Sequence, residues 1–192
     1  MAAWRAVAEE TGVRIDLAQV DSRMGIKLED EVAYWFPAAA IESAAATYRR
    51  HYVALLPRLT TLLPGALASI AAVRNRGQRA AIVTAKHLIS AEPSLAAVGL
   101  VPDELFTYVH GSEKAEVLTR LAALAYVGDT PADMTAARQA GAVAVGVPTG
   151  SFSAAQLREA GADVVFASLQ EFPAWYAGLA IDPTEESVAD GD

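Results

Sequence analysis

From Ala66 to Phe166, short apolar runs alternate with helical segments, and this rhythm most narrows the fold. Ala80 to Val83, Leu105 to Val109, Ala125 to Val127, Val143 to Val147 and Val164 to Phe166 read as strands. Their apolar residues are continuous, as in strands buried on both faces. Helices are expected at Ala66 to Asn75, after the first strand, at Ala115 to Leu124, at Pro131 to Ala140 and after a Ser153 cap. Gly77 and Gly141 sit where such helices stop. The pattern predicts an α/β fold, a parallel sheet covered by helices, with ligands at the carboxyl ends of its strands.

The first third has no such rhythm and reads as all helical. Helices are expected at Trp4 to Glu10, stopped by Gly12, at Leu17 to Ser22, at Leu28 to Tyr34 and at Ala38 to Leu56. In the last of these, Ile41, Ala45, Tyr48, Tyr52 and Leu55 keep a spacing of three or four, which gives one apolar stripe. Pro57 and Pro64-Gly65 mark a hinge. The expected organisation is a helical unit over 1–62, an α/β unit over 63–178 and an acidic tail over 179–192. From Ile181 onward the tail carries five acids and no base, so it is expected to be disordered.

Composition removes several classes of function. The chain has 192 residues and a net charge of -8, with no basic run to meet a nucleic-acid backbone. Cysteine is absent, which excludes disulfides and thiolate metal sites. Met1 to Arg5 lacks the pattern of a signal peptide. The most apolar window, Val53 to Val73, is broken by Pro57, Arg58, Pro64 and Gly65 and does not read as a membrane span. The expectation is a cytoplasmic protein without nucleic-acid or membrane partners; nothing in the sequence fixes its oligomeric state.

Residues with chemical potential fall just past strand ends. Asp129 follows the strand Ala125 to Val127, and Asp133 lies one helical turn later. One or two carboxylates suit Mg²⁺, which keeps several of its waters. Equally, Asp129 or Thr130 can cap the helix at Pro131, and Asp133 can serve as a first-turn acid. Thr84 ends another strand, where its hydroxyl can hold a phosphate oxygen or cap the next helix. Lys114 opens a helix, a place unfavourable for a cation, so it is either a solvated surface lysine or one with an acid or anion partner.

Taken in order, these features resemble the haloacid dehalogenase-like hydrolase superfamily, in its phosphoglycolate-phosphatase-type branch. The resemblance rests on Leu63-Pro64-Gly65, Ile82-Val83-Thr84-Ala85-Lys86, Glu113-Lys114, the run from Tyr126 through Gly128-Asp129-Thr130-Pro131 to Asp133, and Gly141 to Val147. It covers roughly Met1 to Phe172. It implies a Rossmann-like parallel sheet covered by helices, with the first third as a small helical cap. It also implies a Mg²⁺-dependent phosphatase of a small phosphorylated metabolite, working through an aspartyl-phosphate. In that scheme Thr84 bonds the phosphoryl group and Lys114 holds nucleophile and phosphate together. Asp129 ligates Mg²⁺, Asp133 supports the metal directly or through water, and Ala85 and Lys86 touch substrate. Arg23, Lys27 and Arg49 of the cap are either specificity residues or solvated charges.

One element of the family pattern is missing. Its nucleophile motif, Asp-x-Asp-Gly-Thr, belongs on a strand ahead of the cap, in the middle of the sheet. Here Asp16, Asp21, Glu29, Asp30 and Glu31 follow no apolar strand. The first core strand is therefore expected to be missing, leaving two strand edges unpaired. The natural product is expected to begin upstream of Met1, and the 192 residues alone to be inactive. The alternative is a degenerate member that binds Mg²⁺ or phosphate, or scaffolds a partner.

Overall fold

A computed structural model describes residues 1–23 and 26–180 of the chain. The expected disordered tail lies outside the described residues from Ile181 onward.

The first third folds as four α-helices: α1 (Ala2–Thr11), α2 (Leu17–Ser22), α3 (Leu28–Ala33) and α4 (Ile41–Leu59). Gly12 ends α1 in the left-handed conformation, and the Asp16 carboxylate caps α2 by accepting from the Ala18 and Gln19 N–H groups. Trp4, Val7, Val20, Val32, Phe36, Ala44 and Ala45 form the core of this layer. Tyr48 packs on Trp4 with ring centroids 4.6 Å apart. Helix α4 continues through Pro57, past the expected end at Leu56. Pro57 sits in the last turn, where its missing N–H removes a single helical bond, and the Thr60 N–H still reaches the Leu56 carbonyl. The chain therefore breaks after Leu59.

The alternating region gives α5 (Ala66–Arg74), β1 (Ala81–Val83), α6 (Leu88–Ala97), β2 (Glu104–Phe106), α7 (Glu113–Arg120), β3 (Ala125–Gly128), α8 (Pro131–Gln139), β4 (Val143–Gly146), α9 (Ala154–Glu159), β5 (Val164–Val165) and α10 (Phe172–Ala177). Helix α7 stops four residues before the expected Leu124. Ala122 turns left-handed (φ 47), and the Ala123 N–H closes onto the Leu118 carbonyl, so the helix ends in a Schellman turn without a glycine. On β4, Ala144 packs with Met134 and Leu157 from α8 and α9. Val145 faces the other way, with Phe172 and Tyr176 of α10. The sheet is thus covered on both faces, as continuous apolar strands require.

The five parallel strands form two half-sheets, β1-β2 and β3-β4-β5. Strand β1 turns alternate residues to β2: the Ala80 carbonyl accepts from Asp103, and the Thr84 N–H donates to Phe106. Strand β3 likewise uses Leu124 and Gly128 toward β4 and its flank. By alternation, the backbone groups of Ala81, Val83, Ala125 and Val127 point away from their own half-sheets. Between these open edges lies a cavity of about 1090 Å³, lined by Ala80 to Val83 on one side and Leu124 to Asp129 on the other. The two open edges face each other across this slot. It explains why β3 is only part-buried throughout while Ala144, Val145 and Gly146 of β4 are buried. Tyr126 reaches across, its hydroxyl 3.3 Å from the Val83 carbonyl.

Amide hydrogen exchange tests the open edges. Ala81, Val83, Ala125 and Val127 are expected to exchange orders of magnitude faster than the ladder amides of β4; equal protection would mean that the slot is closed in solution.

Candidate active site

The geometry is built around the end of β3. Gly128 closes the strand, Asp129 follows in the loop, and α8 begins at Pro131. Of the two cap candidates, Thr130 takes the position. Its Oγ1 accepts the Asp133 N–H at 3.2 Å, while Asp133 Oδ2 accepts from the Thr130 N–H at 3.2 Å and its hydroxyl at 2.7 Å. This is a capping box with aspartate as its acid. Asp133 Oδ1 accepts from the Lys114 ammonium at 2.6 Å, and the Tyr126 hydroxyl lies 3.3 Å from the same oxygen. Asp133 is only 4% exposed, so this is a buried ion pair. Gly128 makes room for it: a Cβ there would collide with the Asp133 side chain. Of the two readings of Lys114, the structure gives the paired one: its acid partner is Asp133.

Asp129 has a different situation. With Thr130 as the cap, it is free of that duty, and no other described residue hydrogen-bonds its carboxylate. Gly150 lies against it so closely that a Cβ at that position would overlap Oδ2. Burial pushes the Asp129 carboxyl up, and the negative charge of Asp133 pushes it further, against a smaller opposing pull from Lys114. Two carboxylates thus share one ammonium, which leaves an excess negative charge in a part-buried pocket. That donor set fits Mg²⁺, with Asp129 as the acid whose oxygens are free and Asp133 already engaged. Among the described residues there is no cluster of three or more His, Cys, Asp or Glu side chains able to hold a metal.

Thr84 sits at the end of β1. Its N–H donates to the Phe106 carbonyl, its carbonyl accepts from Val109, and its Oγ1 accepts the Lys86 N–H at 3.1 Å. It does not cap α6, since His87 Nδ1 accepts the Ile89 N–H there. The hydroxyl proton of Thr84 therefore remains available. Ala85 and Lys86 line a second, smaller cleft together with Arg49 and Tyr52 of α4. Arg23 is paired with Glu31 at 2.7 Å, and Lys27 lies 5.3 Å from the Tyr108 ring centre. Arg49 is not a solvated charge: its side chain is 17% exposed and paired with Glu29. Sequence reasoning missed Tyr126, Gly150 and the Glu29–Tyr108 contact. For Tyr126 the signal was present, as the one hydroxyl in an otherwise apolar strand.

The haloacid dehalogenase-like hydrolase family model matches residues 1–138, and a second, HAD-hydrolase-like model matches 109–172. A plasmid-encoded phosphoglycolate phosphatase of Cupriavidus necator is 32% identical over 158 residues, covering 75% of this chain and 68% of that protein. A probable phosphatase, IndB, of Dickeya dadantii is 28% identical over 182 residues, covering 87% of this chain and 75% of that one. In fold, the chain is similar to CbbY of Rhodobacter sphaeroides in complex with phosphate, with a TM-score of 0.71 at 19% identity over 88% of this chain and 86% of that one. The chain belongs to the haloacid dehalogenase-like hydrolases. No helix among the described residues is long and apolar enough to cross a membrane.

Two stability measurements follow from this geometry. Lys114→Met leaves Asp133 buried without its cation and is expected to cost about 3–5 kcal/mol in denaturant unfolding. Asp129→Asn is expected to act in the opposite direction. A carboxyl raised in the folded protein is harder to ionise there than in the unfolded chain, so it destabilises once pH rises through the unfolded value toward the folded one. Without metal, the asparagine variant should melt higher than the parent at pH 7 and equal to it below the ordinary carboxylate range.

Proposed function

We propose that these residues form the supporting half of a Mg²⁺-dependent phosphatase site for a small phosphorylated metabolite. The observation that carries the reading is the Tyr126 hydroxyl, which touches both Asp133 and the carbonyl of Val83, the residue before Thr84. It draws the ends of β1 and β3, with Lys114, toward one rim of the slot. The phosphatase names of the Cupriavidus and Dickeya relatives support the same reading.

In this scheme the Thr84 hydroxyl donates its free proton to a phosphoryl oxygen. Lys114, fixed by Asp133, holds positive charge where the phosphate and an attacking carboxylate meet. Asp129 supplies oxygens to the metal. When bound, Mg²⁺ neutralises the carboxylates and polarises the phosphate. Phosphoryl transfer is mostly positioning and charge stabilisation, which is what this set provides. The attacking carboxylate would come from an Asp-x-Asp-Gly-Thr strand seated between β1 and β3. It forms an aspartyl-phosphate as the ester oxygen leaves with a proton from the second acid, and water then releases phosphate. No such motif occurs in these 192 residues, so the chain by itself is inactive in this reading. The reaction is placed in the cytoplasm, without nucleic acid or membrane. The open slot also suits a second reading, a non-catalytic member that binds Mg²⁺ or phosphate or scaffolds a partner.

Hydrolysis of p-nitrophenyl phosphate with Mg²⁺ separates the two. The 192-residue chain should give none. The same chain with an Asp-x-Asp-Gly-Thr strand placed ahead of residue 1 should turn over, and Asp129→Ala or Lys114→Met should then lower the rate by about 10²-fold or more. Activity from the chain alone would contradict the missing nucleophile, and silence from the extended chain would favour the non-catalytic reading.

A further inference from the structure

The loop that follows β4 runs Val147-Pro148-Thr149-Gly150 and is held at both ends. The Val147 N–H donates to the Gly128 carbonyl at 2.9 Å, one step past the last residue pair of β3 and β4. The Val147 side chain is buried in the cluster of Phe172 and Tyr176. The Thr149 N–H then turns back onto the Val147 carbonyl at 2.8 Å. This is a three-residue turn centred on Pro148, whose ring fixes φ near the value such a turn takes. At the far end Ser153 caps α9. The turn delivers Gly150 to the side of Asp129.

The backbone at 150 does not call for a glycine. Its φ lies outside the left-handed region, unlike that of Gly141 ahead of β4 (φ 72). What calls for it is the acid. The three atoms nearest to a Cβ built at 150 all belong to Asp129: Oδ2, which it would overlap, then Cγ at 3.2 Å and Cβ at 3.8 Å. The neighbouring acid is oriented by bonds from Lys114, Thr130 and Tyr126. No other described residue donates to the Asp129 carboxylate. Shape at Gly150 therefore does for Asp129 what hydrogen bonds do for Asp133. An alanine at 150 would leave two ways out, a shift of the loop or a turn of the carboxylate. The loop is anchored at Val147 and Ser153, and the carboxylate is the tip of a side chain, so the carboxylate turns.

We propose that Gly150 is a positioning residue for the metal site: the absence of a side chain there keeps the Asp129 carboxylate in the pose that offers oxygen to Mg²⁺. This goes beyond the phosphatase reading and rests on the metal role it gives Asp129. Mg²⁺ demands near-octahedral geometry at about 2.1 Å, so a carboxylate turned aside is lost to it.

Mn²⁺, which takes the same octahedral oxygen ligands, is the probe, titrated into the full chain and followed by the EPR signal of the free ion. The parent should bind it, and Asp129→Ala should lose that binding. Gly150→Ala should bind about tenfold or more weakly, with a melting temperature within about 2 °C of the parent, because a side-chain tip yields. In the Asp129→Ala background, Gly150→Ala should leave the melting temperature unchanged, since nothing remains to collide. A larger fall in the parent background that disappears without Asp129 also places the collision on the carboxylate and supports the role. Equal Mn²⁺ affinity of parent and Gly150→Ala, or a fall in melting temperature that persists without Asp129, overturns the positioning role and leaves the phosphatase reading standing. No binding by the parent, or undiminished binding by Asp129→Ala, removes the metal role of Asp129 and this inference with it.

Discussion

The Asp133 carboxylate is the point on which the α/β half of this chain depends. One oxygen starts α8 through Thr130, and the other ties α8 to α7 through Lys114. A charge this deeply buried is tolerated only with partners on nearly every lone pair, and here each partner comes from a different place in the chain. Gly128 follows from the same demand, because the acid needs the space that any side chain would fill. The site is therefore not grafted onto a finished fold; its charge balance is part of how the helices meet.

Much of this could be read from sequence, and the misses share a cause. The strands and the polar residues placed just past their ends are legible in local pattern: apolar runs, a glycine turn, an acid one helical turn on. The end of α7 is not, because Ala122 adopts a left-handed turn with no glycine to announce it. Pro57 was read as a break, but in a final turn it removes one bond only. Arg49 reads equally as a specificity residue or a solvated charge, since its pairing depends on Glu29, twenty residues away in the chain. The reach of Tyr126 to Val83 is not legible, because no spacing rule links residues forty-three apart. Local physics was legible, whereas contacts across the sheet were not.

The two half-sheets give the molecule an unusual division. β3-β4-β5 has its central strand paired on both sides and helices on both faces, while β1-β2 meets it through the Tyr126 hydroxyl at the Val83 carbonyl. Parallel strands draw their stability from two neighbours and two covered faces. β1 and β3 each lack one of those neighbours, at the ends where Thr84 and Asp129 sit. The weakest seam of the sheet thus coincides with the proposed reaction centre, so whatever fills the seam acts on structure and chemistry together.

Thr130 and Asp129 are adjacent, yet they divide their work. Because the helix start is secured by Thr130 and Asp133, the Asp129 side chain takes no part in capping α8. Substitutions at 129 would consequently leave the capping box intact while changing the charge of the pocket, whereas those at 133 would also undo the helix start. Two acids one helical turn apart thus separate the charge of the pocket from the start of the helix.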